Sequence, residues 1–350
     1  MEKGNKKNSI NIVLTGDANY SKVMGVTIVS VLENLNKNCF ANFYLYTEGF
    51  TNEDISEIKK IESIYNCEII IIDVGEYIKI FDFVDQKDFK NSYISKSCLY
   101  RLLMFKYLPE NVEKCFYIDS DIIVDGDLSI LNLPDNKMFA AVPEGYAMQH
   151  REKILEHWYR LPEYSNFVKD PIKYTHFGAG FFLADIKKAK QFNVFAQIVE
   201  LLKKYPAMPY ADQDILNAIF GQKYQEYMFY LPPEYNVFSD QNYNMVYDRL
   251  PYSNEIFQNA CLNPVVIHFA GINKPWVNNH CNRFWNKWWI YCNKSPWKFY
   301  YAPKYISIIC GGEFKKIIQN IFSVRNEFSQ NVKRKVITIA GVKFKIKSQA

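Results

Sequence analysis

The run Cys115-Phe116-Tyr117-Ile118-Asp119-Ser120-Asp121-Ile122-Ile123-Val124 restricts the fold of this chain more than any other stretch. Its residues before Asp119 are apolar and aromatic, with the length and β propensity that a strand inside a covered sheet requires. Two carboxylates then break the run. On an extended backbone, residues two apart point to the same side, so Asp119 and Asp121 can converge on one site. Two acids held together at a strand end are costly unless positive charge sits between them. A divalent cation meets that need most directly.

Two other readings fit the same run. Both acids can be solvated loop residues at a strand exit, and Asp-x-Asp after a strand also occurs in phosphatases that form an aspartyl-phosphate. The rest of the chain has to separate these readings. Its 350 residues, 49% of them hydrophobic and 17% aromatic, supply a large core for one or two domains. Ile10 to Leu14 is too short for a signal-peptide core or a membrane span, and no later run reaches spanning length, so a cytoplasmic location is expected. The eight cysteines form no Cys-x-x-Cys pair, which points to free thiols in a reducing compartment rather than a zinc or redox motif. The net charge of +5 is uneven: residues 301–350 hold eight Lys and two Arg against two Glu, which leaves the first 300 residues at −3. That main body carries no sign of a nucleic-acid-binding face.

The order of elements is that of an α/β protein. Ile10 to Leu14 reads as a strand, Thr15 to Tyr20 as a polar loop and Val23 to Leu35 as a helix. Phe43 to Tyr46, a helix over Asn52 to Tyr65 and a strand over Glu68 to Asp73 repeat the alternation. This predicts a mostly parallel central sheet flanked by helices, with ligands beyond the carboxyl ends of its strands. Asp17, Asn19 and Tyr20 are placed to meet a nucleotide there, or form an ordinary turn. No Gly-x-Gly-x-x-Gly or Walker pattern is present, so phosphates need another holder. Ser97 to Phe105 reads as a buried helix whose Arg101 either forms a structural ion pair or faces the acids and phosphates of a site.

Further on, Met138 to Val142 is a strand ending near Glu144, and Gly145 to Tyr174 is an irregular stretch suited to variable recognition. In the aromatic strand Phe177 to Asp185, Gly178 and Gly180 allow close approach of a ligand or form a bulge. Ala211 to Asn217 begins a helix, where Asp212 and Asp214 would suit the positive dipole end and leave Gln213 incidental. Val265 to Ile267 is a strand ending at His268, either a third metal ligand or a structural histidine, while Lys274 and a glycine amide could meet phosphate. Trp285, Trp288, Trp289 and Trp297 suggest a packing flap. Ile317, Ile318, Ile321 and Phe322 would form one side of a short helix, and Val342, Phe344 and Ile346 alternate with Lys343, Lys345 and Lys347. Such a basic amphipathic end suits an anionic membrane surface, a subunit contact or plain solvent.

Taken in order, the Thr15-to-Tyr20 loop, Tyr100-Arg101, Asp119-Ser120-Asp121, Asp212-Gln213-Asp214 and His268-to-Trp276 resemble the motifs of the retaining glycosyltransferases of family 8. Bacterial members of that family include lipopolysaccharide galactosyl- and glucosyltransferases. Each motif is weak alone, whereas five in this order across residues 10–276 are specific; the likeness does not reach the tail. The resemblance implies a GT-A type nucleotide-diphospho-sugar transferase fold over residues 9–276, followed by an aromatic closing segment at 277–300 and the basic tail at 301–350. It implies transfer of a hexose, galactose or glucose foremost, from a UDP-sugar to a glycan or glycolipid with an α linkage. Asp119, Asp121 and His268 would hold Mn²⁺ or Mg²⁺, and Gly271 and Lys274 would contact the diphosphate. Asp17, Asn19 and Tyr20 would take uracil and ribose. Arg101 would approach the sugar, Asp212 and Gln213 would lie by the anomeric carbon, and Glu144 would meet a sugar hydroxyl.

One position departs from the pattern. Where the family commonly has Phe-Asn-Ala-Gly, this chain has Phe177-Gly178-Ala179-Gly180, which leaves the identity of the sugar open. Other classes compete less well. An aspartyl-phosphate phosphatase needs neither the nucleotide loop nor the His268 motif, and intact ligand positions argue against a non-catalytic sugar-nucleotide-binding protein. A self-glycosylating transferase resembling glycogenin would draw on the 26 tyrosines, though a basic tail fits a membrane-bound glycolipid acceptor better.

Overall fold

A computed structural model describes residues 8–84, 96–144, 162–164, 166, 170, 173–206, 210–240, 251–277 and 283–306, together with the backbone of three later strands. Two compact units divide the chain, residues 1–297 and 298–350. In the first, strands β1 (Ser9–Asp17), β2 (Phe40–Glu48), β3 (Cys67–Asp73), β4 (Lys114–Ile118), β6 (Phe139–Pro143), β7 (Phe177–Asp185) and β8 (Met228–Tyr230) form one sheet in the order β3-β2-β1-β4-β7-β6-β8. Its β1–β2, β2–β3, β1–β4 and β6–β8 pairs are parallel, and only β7 runs antiparallel, between β4 and β6. Continuous apolar strands suit this arrangement, because helices cover both faces: Ile12, Val13 and Leu14 of β1 are fully buried.

Helix α1 (Ser21–Asn34) packs a run of valines, Ile28 and Met24 inward. The hydroxyl of Thr27 on this helix lies 2.7 and 2.8 Å from the carbonyl oxygens of Ser120 and Ile122, donating between them, so the helix is tied to the segment that carries the two acids. Helix α2 (Asn52–Lys59) opens with a reciprocal cap between Thr51 and Asp54. Helix α3 (Trp285–Lys294) buries Trp288, Trp289, Tyr291 and Cys292, and Tyr291 accepts a hydrogen bond from Asn34 at the end of α1 at 2.8 Å. Gly25 of α1 leaves room for Trp297, whose ring comes within 1.8 Å of where a Cβ would be.

Several expectations change. The strand expected before Asp119 is β4, but the backbone across Asp119–Asp121 is not extended: the chain turns there, with the Ile122 amide donating to the Asp119 carbonyl at 3.1 Å, and enters β5 (Ile122–Val124) of a second sheet. There β5 pairs antiparallel with β10 (Val266–His268), which lies parallel to β9 (Val237–Phe238). Thr15, Gly16 and Asp17 belong to β1 rather than to a loop, since their backbone continues the ladder opposite Tyr46, Thr47 and Glu48. Arg101 sits on a tighter 3₁₀ helix, Lys96–Leu103, that runs into a helical turn at Met104–Tyr107. Most of the Gly145–Tyr174 stretch lies outside the described residues.

The second unit contains an antiparallel meander, β11 (Phe322–Ser329), β12 (Val332–Ile339) and β13 (Val342–Lys347). Phe322 therefore starts a strand and not a helix side. The physical reason is the period of two that runs from Phe322 through Val324, which a ladder with Ile339 and Ile337 can use. Ile317, Ile318 and Ile321 lie outside the described residues. The register sets Arg325, Val336 and Lys345 in one row across the three strands, and Glu327, Arg334 and Lys347 in another. Cys39, Cys67, Cys98, Cys115, Cys261 and Cys292 are free thiols, whereas Cys281 and Cys310 fall outside the described residues. Among the described residues no helix is long and apolar enough to cross a membrane.

Candidate active site

The antiparallel course of β7 builds the site. It brings the first residues of β7 beside the last residue of β4, with Ile118 opposite Phe181 and the Asp119 amide donating to the Gly180 carbonyl at 2.8 Å. The ends of β1 and β10 come to the same place, and together they line a cavity of about 310 Å³. Asp17, Tyr20, Arg101, Asp119, Asp121, Asp212, Gln213 and His268 all face it.

At its foot, ligand atoms of Asp119, Asp121 and His268 lie within 4.8 Å of one another. His268 Nε2 is 3.3 Å from Asp121 Oδ1 and 3.7 Å from Asp119 Oδ2. The chemistry of this donor set fits a divalent cation: carboxylate oxygens suit Mg²⁺ and Mn²⁺, and the imidazole shifts preference toward transition ions such as Mn²⁺. Gly180 is what lets the three meet. A Cβ there would fall 2.3 Å from His268 Cε1 and 3.0 Å from Asp119 Oδ2, so the glycine permits close approach of side chains, and it also lies where the β6–β7 register shifts, between the Ala141–Phe182 and Pro143–Phe177 pairs.

The two acids are held differently. Asp119 Oδ1 accepts from the Tyr117 hydroxyl at 2.6 Å and pairs with Arg101 Nη2 at 2.9 Å. Burial raises its pKa, with Arg101 opposing. Burial pushes Asp121 the same way, but Lys274 and His268 outweigh it and hold its carboxyl well below the usual range. The Lys274 ammonium rests on Asp121 Oδ2 and donates to the Phe269 carbonyl at 2.6 Å. It thus sits beside the candidate cation position without lining the cavity.

Arg101 satisfies both of its alternatives at once. Its guanidinium is buried, pairs with Asp212 at 2.8 Å as well as with Asp119, donates to the Ala179 carbonyl at 2.6 Å and lies 4.6 Å from the centre of the Tyr117 ring. Burial pushes the Asp212 carboxyl up to about 6 against the pull of Arg101. Asp212 and Gln213 begin a short helix, α-helical over Asp212–Leu216 and π-helical over Asn217–Lys223. Ala211 just before it has φ 47° and ψ −112°, a positive-φ conformation that costs a non-glycine residue about 1–3 kcal/mol. Gln213 is not incidental. Its Oε1 accepts from the Ala179 amide at 3.0 Å and its Nε2 donates to Glu144 Oε2 at 2.7 Å, which fixes both ends of the amide. Glu144 thus touches the site through Gln213.

At the other end of the cavity, Asp17 Oδ1 accepts from the Asn19 amide at 2.9 Å and caps the turn Ala18–Tyr20. Tyr20 packs edge-on against Trp276, with ring centres 6.4 Å apart. Asn19 is exposed, and Gly271, with φ 76°, makes the left-handed turn after β10; neither lines the cavity. Three further residues escape a reading by spacing. Tyr117 looks like plain core, yet its hydroxyl holds Asp119. His176 is buried between Glu144 and Asp214 at 3.6 and 3.7 Å. Asn236 reaches His268 from just before β9. Only the polar tip of Tyr117, two residues before Asp119 on the same strand face, left a signal in the sequence.

A mostly parallel sheet with paired acids at the exit of β4 and a cavity over its strand ends is the architecture of the GT-A fold. Solved structures agree on that fold. The galactosyltransferase LgtC, in complex with donor and acceptor sugar analogues, superposes with a TM-score of 0.62 at 19% identity over 82% of this chain and 96% of its own. The bifunctional glycosyltransferase WbbM gives 0.66 at 22% identity over 85% of this chain and 52% of its own, so the present chain spans about half of that protein. A model of glycosyl transferase family 8 matches residues 11–280, and the chain belongs to that family. Among curated relatives, a putative glycosyltransferase of Haemophilus influenzae is 27% identical over 77% of this chain and 73% of its own. The lipopolysaccharide 1,2-glucosyltransferase of Escherichia coli K12 is 24% identical over 89% and 85%.

Proposed function

We propose that this glycosyltransferase moves a hexose, galactose or glucose, from a UDP-sugar to a glycan or lipopolysaccharide-type acceptor, with retention and hence an α linkage. The observation that carries the reading is the meeting of Asp119, Asp121 and His268 at the foot of one cavity whose walls also hold Asp17, Tyr20, Asp212 and Gln213. Galactosyl- and glucosyltransferases among its relatives favour those two sugars.

Asp17, Asn19 and Tyr20 take the uridine, whose base has the edge-on Tyr20–Trp276 pair at hand. Asp119, Asp121 and His268 hold the cation, Mn²⁺ or Mg²⁺, which when bound supplies positive charge to the departing diphosphate. Lys274 and the Gly271 amide add a second positive edge on the same side. Gln213, fixed at both ends, presents a neutral amide beside the anomeric carbon, and Glu144 behind it meets a sugar hydroxyl. Asp212 is not free to act as a nucleophile, because its carboxylate is paired with the buried Arg101 guanidinium at 2.8 Å. This favours attack by the acceptor on the same face from which the diphosphate leaves. Residues 9–276 form the catalytic part, and the basic residues of 301–350 dock the enzyme on the inner face of an anionic membrane.

Calorimetric titration with UDP-galactose, UDP-glucose and UDP-N-acetylglucosamine, with and without Mn²⁺, tests the reading. Cation-dependent binding of one hexose donor is expected, and Asp121→Ala should abolish Mn²⁺-dependent turnover. Full activity of that variant, or no binding of any donor, would overturn the assignment.

A further inference from the structure

We propose that Asn236 positions His268 for cation binding, and that position 178 is a glycine because the Asn236 amide occupies the space beside it. The inference rests on the cation reading of Asp119, Asp121 and His268. Asn236 stands between the turn Pro233–Tyr235 and β9, and the parallel pairing of β9 with β10 sets Val237 opposite Ile267 and Phe238 opposite His268. The same pairing carries the Asn236 side chain to the imidazole, where Oδ1 lies 3.2 Å from Nδ1 in a buried contact.

A neutral imidazole has one N–H and one lone pair. With the Asn236 oxygen accepting from Nδ1–H, the lone pair is left on Nε2, the nitrogen that faces Asp121 Oδ1 at 3.3 Å and Asp119 Oδ2 at 3.7 Å. An acceptor on the far nitrogen of a liganding histidine fixes its tautomer and ring angle. The ring has little other freedom. Phe238 stacks on it with centres 5.3 Å apart, and Gly180 lies directly against Cε1 and Nδ1.

Gly178 connects to the same contact. A Cβ at that position would be 2.8 Å from Asn236 Nδ2, closer than real Cβ contacts come, while Glu144 Oε2 would be 4.0 Å away. A side chain at 178 and the observed Asn236 rotamer therefore exclude each other. Even a methyl group at 178, which touches no ligand atom, acts on the cation site by pushing Asn236 off His268.

The test is the Mn²⁺ affinity of the full-length protein without donor, read by calorimetry, for the wild type, His268→Ala, Asn236→Leu, Asn236→Asp and Gly178→Ala. Asn236→Leu fills the space but offers no acceptor, and should weaken Mn²⁺ binding by about 10–100-fold. Asn236→Asp keeps an acceptor and should stay within about threefold of wild type. Gly178→Ala should weaken binding in the wild-type background and add nothing in the Asn236→Leu background, because both act through one contact. Wild-type affinity in Asn236→Leu beside lost affinity in His268→Ala overturns the inference alone. So does equal weakness of the Leu and Asp variants, or a Gly178→Ala effect of the same size in both backgrounds. If Asn236→Leu does not fold, Gly178→Ala decides: unchanged affinity overturns the proposal. No Mn²⁺ binding by the wild type removes the cation reading and this inference with it.

Discussion

Replacing Asp212 by Asn should make the protein more stable at neutral and alkaline pH. Burial raises this carboxyl from an ordinary 3.8 to about 6, even with Arg101 paired to it. A shift of roughly two units corresponds to about 3 kcal/mol by which the folded state disfavours the ionised form. The sign follows from proton binding: the folded state binds this proton more tightly than the unfolded chain, so the contribution is complete below about pH 4 and lost as pH rises through about 6. Asparagine keeps the shape and stays neutral throughout. Arg101 is not stranded, since Asp119 and the Ala179 carbonyl remain bonded to it. Melting curves of the two proteins in EDTA should therefore coincide near pH 4 and separate by a few degrees at pH 8, with the variant higher. Under the proposed reading the same variant loses transfer activity, a trade of activity against stability. A variant that melts below wild type at pH 8 would refute the reasoning, because pairing with Arg101 would then outweigh the cost of burial.

Gly25→Ala should cost about 1–3 kcal/mol in chemical denaturation followed by tryptophan fluorescence, despite the gain in helix propensity, because its Cβ would meet Trp297 at 1.8 Å. Unchanged or higher stability would show that Trp297 moves aside freely. Deletion of residues 310–350 should leave donor hydrolysis intact and weaken co-sedimentation with anionic vesicles, at roughly 1 kcal/mol per lost Lys or Arg near the surface. Undiminished co-sedimentation would remove membrane docking from the functional reading.

The alternation of strands and helices was legible because hydrophobic period is a local property; the two acids of Asp119-Ser120-Asp121 stood out as well, but they converge across a tight turn and not by same-face spacing on an extended backbone. The strand ends were not legible. Thr15, Gly16 and Asp17 look like loop because they are polar, yet their backbone pairs with β2 and their polarity serves the cavity. The switch of sheets between Ile118 and Ile122 left no local mark, since both sides of Asp119–Asp121 read as β. The grip on Asp119 by Arg101 and on Gln213 by Glu144 exists only through tertiary approach. Asn236 lies 32 positions from His268 and was invisible for that reason. Phe322 was misplaced because four apolar residues in six positions fit a helix side until the period of two beyond them is counted.

The antiparallel ladder between β4 and β7 also bears on how such a chain can diversify. Asp119 leaves β4 at one end of that ladder, and Ala179 and Gly180, which meet Arg101, Gln213 and Asp119, belong to the other strand of the same ladder. Their relative placement is set by backbone pairing and is indifferent to how many residues connect β6 to β7. Inside that connection, the stretch after Glu144 and before His176 can lengthen, shorten or change composition while Glu144 keeps its hold on Gln213 and the Glu144 amide its bond to the His176 carbonyl. Under the proposed reading, a change of acceptor and retention of the bond-breaking groups are thereby uncoupled in one stretch of chain.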